Sequence, residues 1–128
     1  MPEKPRSNIR TYRDLLVWQK AMDLAEAVYR ATEAFQEGER YGLVAQMRRA
    51  SASVASNIAE GFGRGRKAEF KRYLEIARGS LFELQTQAEL ARRLGWLKGT
   101  LLTETREGSQ EVDRLLSGLI RSVRRRAD

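Results

Sequence analysis

The chain has 128 residues, enough for one domain with its own core, and carries a formal net charge of +7 with charged residues at 32%. It contains no cysteine and no histidine. That excludes a disulfide framework, a thiolate nucleophile and a Cys- or His-based metal site, and it removes the commonest general base, so a non-enzymatic protein is expected. Enrichment in Ala, Glu, Leu and Arg predicts helices, and no proline follows Pro5 to interrupt them.

Residues 1–10 are polar, contain both prolines, and read as a flexible arm ahead of a bundle over residues 11–126. The stretch MPEKPRSNIRTYRD has no apolar signal segment. No window approaches the ~20 apolar residues of a membrane span, so a cytoplasmic protein is expected. Thr11 and Asp14 form a capping pair. After them Leu15, Trp18, Met22, Ala25, Val28, Tyr29, Thr32 and Phe35 recur at helical spacing, predicting a first helix over about 12–35. Leu16, Val17 and Leu24 fall outside that row. Such a surplus of apolar surface suits either a subunit contact or a wide core stripe.

The segment QEGERYG breaks the pattern, and a second helix is predicted over about 40–62, through Leu43, Met47, Ala50, Val54, Ile58 and Gly61. Its small residues bring a neighbouring backbone close. GFGRG ends it, because glycine supplies the turn conformations that a helix end needs. The third helix, about 67–94, carries Phe70, Tyr73, Leu74, Ala77, Leu81, Leu84, Ala88 and Ala91, and Gly95 closes it. Trp96 and Leu97 are expected to fold back onto the core. A fourth helix runs over about 100–125 with Thr100 as N-cap. Gly108 within it implies close packing or a local weakness, since glycine costs ~1 kcal/mol there relative to alanine. Four amphipathic helices on short connections predict an all-α, up-down antiparallel four-helix bundle.

Two polar stripes accompany the apolar ones: Gln46, Arg49, Ser53, Asn57 and Glu60 on the second helix, and Glu69, Tyr73, Ser80, Glu83 and Gln87 on the third. Facing each other, they would form a network in which Arg49 pairs with Glu60 or Glu83 and Asn57 bonds Ser80, fixing helix register. The rival is a metal site in the bundle. Without histidine it would be an oxygen-only magnesium or manganese site on Glu60 and Glu83, and nothing else in the sequence supports it. No cofactor is expected.

Basic residues cluster in three places. Arg48 lies beside Arg49. Arg64, Arg66, Lys67, Lys71 and Arg72 surround the glycine-rich turn. Arg121, Arg124, Arg125 and Arg126 end the chain. The last cluster suits a helix C-terminus without any ligand. The middle one opposes the dipole of the third helix, with Glu69 as its main offset, and glycines with arginines at a helix start suit phosphate. GFGRG is not a nucleotide-hydrolysis loop: it follows a helix and lacks the GK[ST] element. Contacts of this kind read phosphate and shape, not sequence.

The stretches YRDLLVWQKAMDLAEAVYRATEAF, YGLVAQMRRASASVASNIAEGFGR and EFKRYLEIARGSLFELQTQAELARRLGW resemble the four-helix-bundle proteins associated with intervening sequences in bacterial 23S ribosomal RNA genes. The resemblance covers about Tyr12 to Ile120. It is most specific at Leu16-Val17-Trp18, Gln46-Met47-Arg48-Arg49-Ala50, Asn57-Ile58-Ala59-Glu60-Gly61 and Ala77-Arg78-Gly79-Ser80-Leu81 with Glu83. It implies a bundle that assembles into a ring, commonly a homopentamer. The accessory proteins of diversity-generating retroelements share that fold, as basic pentamers that bind nucleic acid and a reverse transcriptase. No catalytic residues are implied. Arg66 departs from the pattern, standing where a small hydroxyl residue is common. The expectation is a ring-forming binder of RNA or DNA backbone, with a scaffold or accessory subunit for an enzyme such as a reverse transcriptase as the alternative.

Overall fold

The computed structural model describes residues 8–35 and 37–125; residues 1–7, 36 and 126–128, including Arg126 and most of the predicted arm, lie outside them. Among the described residues there are four long helices and no strand. They are α1 (Leu16–Glu33), α2 (Ala45–Gly63), α3 (Lys67–Arg93) and α4 (Gly99–Arg125). No helix among these residues is long and apolar enough to cross a membrane.

The capping pair is formed, but on a different element. Thr11 accepts from the Arg13 amide, and the Asp14 carboxylate accepts from the amides of Thr11 and Arg10. Together they cap a short 3-10 turn, Tyr12–Asp14. Leu15 then takes an extended conformation (φ −75°, ψ 124°), which breaks the chain before α1 begins. The described end of the predicted arm is held to the fold: Ile9 packs against the core and the Arg10 amide is bonded to Asp14. α2 likewise starts later than the periodicity predicts. A π turn, Arg40–Val44, precedes it, with Gly42 at φ −100°, ψ −108°.

The rest of the boundaries follow the local chemistry. Gly65 (φ +78°) and Gly95 (φ +81°) take the left-handed conformation that side chains resist, and each sits just past a helix end. After Gly95 the amides of Trp96 and Leu97 both bond the Ala91 carbonyl. This turns Leu97 into the core and sets Trp96 against Phe35, 6.0 Å between centroids. Thr100 is not the N-cap of α4, because the helix already starts at Gly99.

The core is built from heptad-like rows: Val17, Ala21, Leu24, Val28 and Ala31 on α1; Met47, Ser51, Val54, Ile58 and Gly61 on α2; Leu74, Ala77, Leu81, Leu84, Ala88 and Ala91 on α3; Val112, Leu116 and Ile120 on α4. The α1 row corrects the sequence reading. Val17 (1% exposed) and Leu24 (2%) are interior and not available for a subunit contact, while Leu16 is half-buried. Met22 (40%) and Tyr29 (46%), assigned to the core row, face outward.

Residue numbers rise along one helix as they fall along its neighbour. Gly61 meets Tyr73 and Ser53 meets Ser80; Arg78 meets Asp113, Gln85 meets Ser109 and Glu89 meets Arg106; Lys20 meets Glu111 and Arg30 meets Glu104. The start of α1, the α2–α3 turn and the end of α4 therefore share one end of the bundle. Arg124, which reaches Glu75 at 3.8 Å, marks the junction of α4 with α3 there.

Candidate nucleic-acid interface

The α2–α3 turn is a rigid corner. A Cβ on Gly61 would lie 2.5 Å from Tyr73 Cβ, so the absent side chain is what lets the two helices approach. Phe62 and Phe70 close the same corner edge-to-face, 5.8 Å apart. Arg64 then folds back. Its Nη2 donates to Glu60 Oε2 at 2.8 Å and to the Tyr73 hydroxyl at 2.9 Å, and its guanidinium lies 5.2 Å from the Tyr73 ring centre. The bond to Glu60, with the nearby Tyr73, raises the Arg64 pKa above its ordinary value, so the charge is permanent. Arg72 approaches the same ring at 5.1 Å and pairs with Glu69 at 3.4 Å. Lys71 pairs with Glu75 at 3.2 Å, a carboxylate it shares with Arg124. Lys67 opens α3, and Arg125 lies in the last turn of α4.

Arg66 is the N-cap of α3 and is exposed; it makes no side-chain cap bond. Arg66, and likewise Arg121 on the last turns of α4, has no ion pair among the described residues. Two further cations at this end were assigned to no site by the sequence: Arg10 and Arg13. Arg13 covers the Tyr12 and Trp18 rings at 5.5 and 5.6 Å and, like Arg10, forms no ion pair among the described residues. The capping pair Thr11–Asp14 was the available signal, since it ties this segment to the bundle. Among the described residues of the same end, Asp14 is engaged with backbone amides, and Glu60, Glu69 and Glu75 with cations.

Arg48 does not join this group. It points to α1 near the opposite end, where Nε donates to Thr32 Oγ1 at 2.9 Å, Nη2 lies 3.7 Å from Glu33, and the guanidinium covers Tyr29 at 4.6 Å. An arginine this occupied ties α2 to α1, away from the cationic end where the other candidate contacts lie. Thr32 is buried and its hydroxyl in turn donates to the Val28 carbonyl, so the tie is anchored in the core.

The polar network is smaller than expected. Ser53 and Ser80 share a 2.8 Å hydrogen bond across α2 and α3, and Asn57 Nδ2 donates to the Ser53 carbonyl and hydroxyl. Asn57 thus reaches Ser80 through Ser53. Arg49 is exposed and has no ion pair among the described residues; Glu60 is taken by Arg64, and Glu83 is exposed. Because Ser53 is level with Ser80 and Gly61 meets Tyr73, Glu83 sits nearly three turns, ~15 Å, from Glu60 along the bundle, and the pair cannot share a cation. No group of three or more acidic residues is placed to hold a metal among the described residues.

A second feature lies along α1 and α2. An open groove of about 720 Å³ is lined by Tyr12, Trp18, Met22, Ala25 and Tyr29 on one side and Ala52, Ala55 and Ala59 on the other, with Glu26 and Arg30 at its rim. The outward face of α3 exposes Ile76, Leu90 and Leu94.

Fold and surface together define a four-helix bundle, one end of which carries Arg10, Arg13, Arg64, Arg66, Lys71, Arg72, Arg121 and Arg124. The chain belongs to the 23S rRNA-intervening sequence protein family, whose model matches residues 13–118. Among solved structures, a protein of unknown function from the S23 ribosomal protein family of Bacteroides thetaiotaomicron VPI-5482 shares the fold, with a TM-score of 0.74 at 23% identity. The match covers 83% of this chain and 96% of that one. A comparison with curated proteins returned no match.

Proposed function

We propose that this protein is a non-enzymatic, cytoplasmic binder of RNA or DNA backbone, an antiparallel bundle that works as a ring of identical subunits. The observation that carries the reading is the collection of Arg10, Arg13, Arg66 and Arg121, none of them ion-paired among the described residues, on the end where Arg64, Lys71, Arg72 and Arg124 are held by carboxylates. Repulsion among unneutralised cations destabilises a compact surface, and a polyanion relieves it. Family membership supports the setting, since the family takes its name from sequences that interrupt 23S rRNA. The ring rests on the two unpartnered apolar patches. One is the open α1–α2 groove and the other the exposed pair Leu90 and Leu94 at the end of α3, and two different patches suit a head-to-tail contact that can close. A pentamer is the size the family resemblance implies. A ring repeats the cationic end around an axis and multiplies affinity for a long polyanion.

Filter binding with RNA and DNA at ~50 and ~200 mM salt tests the binding; retention should be high at low salt and fall steeply, and none at low salt refutes it. Sedimentation tests the ring, because a monomer at micromolar concentration removes it. The groove itself favours a second reading, a scaffold that seats a protein partner such as a reverse transcriptase. A complex that survives nuclease treatment of an extract supports that alternative.

A further inference from the structure

We infer that the cationic end recognises paired strands by their phosphates and offers no platform for unpaired bases; this rests on the nucleic-acid reading above. Binders of single strands stack successive bases on open aromatic faces. This end of the bundle is rich in rings, and each meets another group of the chain, with Tyr12 and Trp18 also lining the open α1–α2 groove. Tyr12 and Trp18 pack edge-to-face at 5.0 Å, and both lie under the Arg13 guanidinium. Phe62 and Phe70 pack on each other and against the core. Tyr73 has Arg64 and Arg72 within 5.2 Å of its centre, and its hydroxyl accepts from Arg64. Tyr12, Trp18 and Tyr73 therefore serve to hold guanidiniums still. An arginine fixed on a ring loses little freedom when it meets a phosphate, so this arrangement favours phosphate contact over base contact.

The cations are also spread in the way a duplex requires. Arg13 sits before α1, Arg66 in the α2–α3 turn, and Arg121 near the end of α4: three different corners of the bundle. Packed helices are spaced by ~8–10 Å, so neighbouring corners are separated by about that distance. Phosphates facing each other across a groove lie on a similar scale, ~12 Å for the B-form major groove. A-form RNA presents a wide, shallow minor groove flanked in the same way. A single strand follows one path and meets these corners only by wrapping.

The test is fluorescence anisotropy of the full chain with a labelled RNA duplex, the matching DNA duplex, and an unstructured oligouridine of equal phosphate count. Both duplexes should bind at least ~10-fold tighter than oligouridine at ~50 mM salt. If four cations per protomer meet phosphates, the duplex salt slope is about −3.6, a loss of roughly 150-fold between ~50 and ~200 mM. Comparing the RNA and DNA arms shows which duplex form is preferred. Oligouridine bound as tightly as duplex, with quenching of tryptophan emission that Trp18→Phe abolishes, overturns the inference while leaving the backbone-binding function in place. Failure of all three probes at low salt overturns that function instead.

Discussion

Replacing Gly61 by alanine asks whether the α2–α3 corner is set by backbone contact. The added methyl would lie 2.5 Å from Tyr73 Cβ and 3.3 Å from Phe70 Cδ1. Ordinary contact begins near 3.4 Å, so the helices must part by almost 1 Å. Tyr73 Cβ is fixed to its own backbone and cannot swing aside. Overpacking of this kind costs about 1–3 kcal/mol, against a gain of ~1 kcal/mol from the better helix former. The clash is rigid on both sides, so Gly61→Ala should lose about 2 kcal/mol net. At ~2.1 cal/mol/K per residue over 128 residues, that lowers Tm by roughly 7 °C. Gly79→Ala makes the same chemical change within α3, where nothing lies within 4 Å of the new methyl. It should gain ~0.5–1 kcal/mol and raise Tm by ~2–4 °C. Calorimetry on the two variants gives opposite signs if contact decides the outcome. A Gly61→Ala protein as stable as Gly79→Ala would refute the reasoning.

Arg48→Met should lower Tm by ~4–8 °C, from about 1–2 kcal/mol of lost hydrogen bonding and ring contact, yet leave nucleic-acid affinity at fixed salt unchanged. The double variant Arg66→Gln/Arg121→Gln should do the reverse, with Tm nearly unchanged and the salt slope of binding smaller by about 2. Glu89 accepts hydrogen bonds from Arg92 and Arg93, which lower its pKa from 4.5 to about 2. Its pairing therefore stabilises the fold above about pH 4.5 and is lost as pH falls from there toward 2. The difference in Tm between wild type and Glu89→Gln should be widest near neutrality, shrink in high salt, and close by about pH 2. Met22→Glu places a charge in the α1–α2 groove without touching the core. It should dissociate the assembly in sedimentation and keep the helical circular dichroism, whereas an unchanged mass removes this groove as the subunit contact.

The helices were legible because their apolar residues recur in steps of three and four, and glycines stand where the chain must turn. The inward face of α1 was not. Trp18, Met22, Ala25 and Tyr29 have the same spacing as Val17, Ala21, Leu24 and Val28, so periodicity finds two rows and cannot rank them. Leu24 meets Gly108 of α4, where an added Cβ would lie 3.2 Å from its Cδ1; that long-range fit decides the orientation. The cluster at the glycine-rich turn was visible as composition, but its division into paired and unpaired members depends on Glu60, Glu69 and Glu75 as neighbours in space. The tie made by Arg48 was hidden for a related reason. Its partners Tyr29, Thr32 and Glu33 lie on another helix, sixteen residues away in the case of Thr32, and no local pattern announces them.

The π turn at Arg40–Val44 bears on how this chain can change in length. Such a turn holds one residue more than an α turn, and here the backbone is already kinked at Gly42 (φ −100°, ψ −108°). A deletion of one residue here can be absorbed by tightening the coil. The same deletion at Ala45 or Gln46, inside α2, would swing the later side chains by ~100° and carry Arg48 into the seat of Met47. Relatives that differ by a single insertion or deletion ahead of α2 should carry it within this segment.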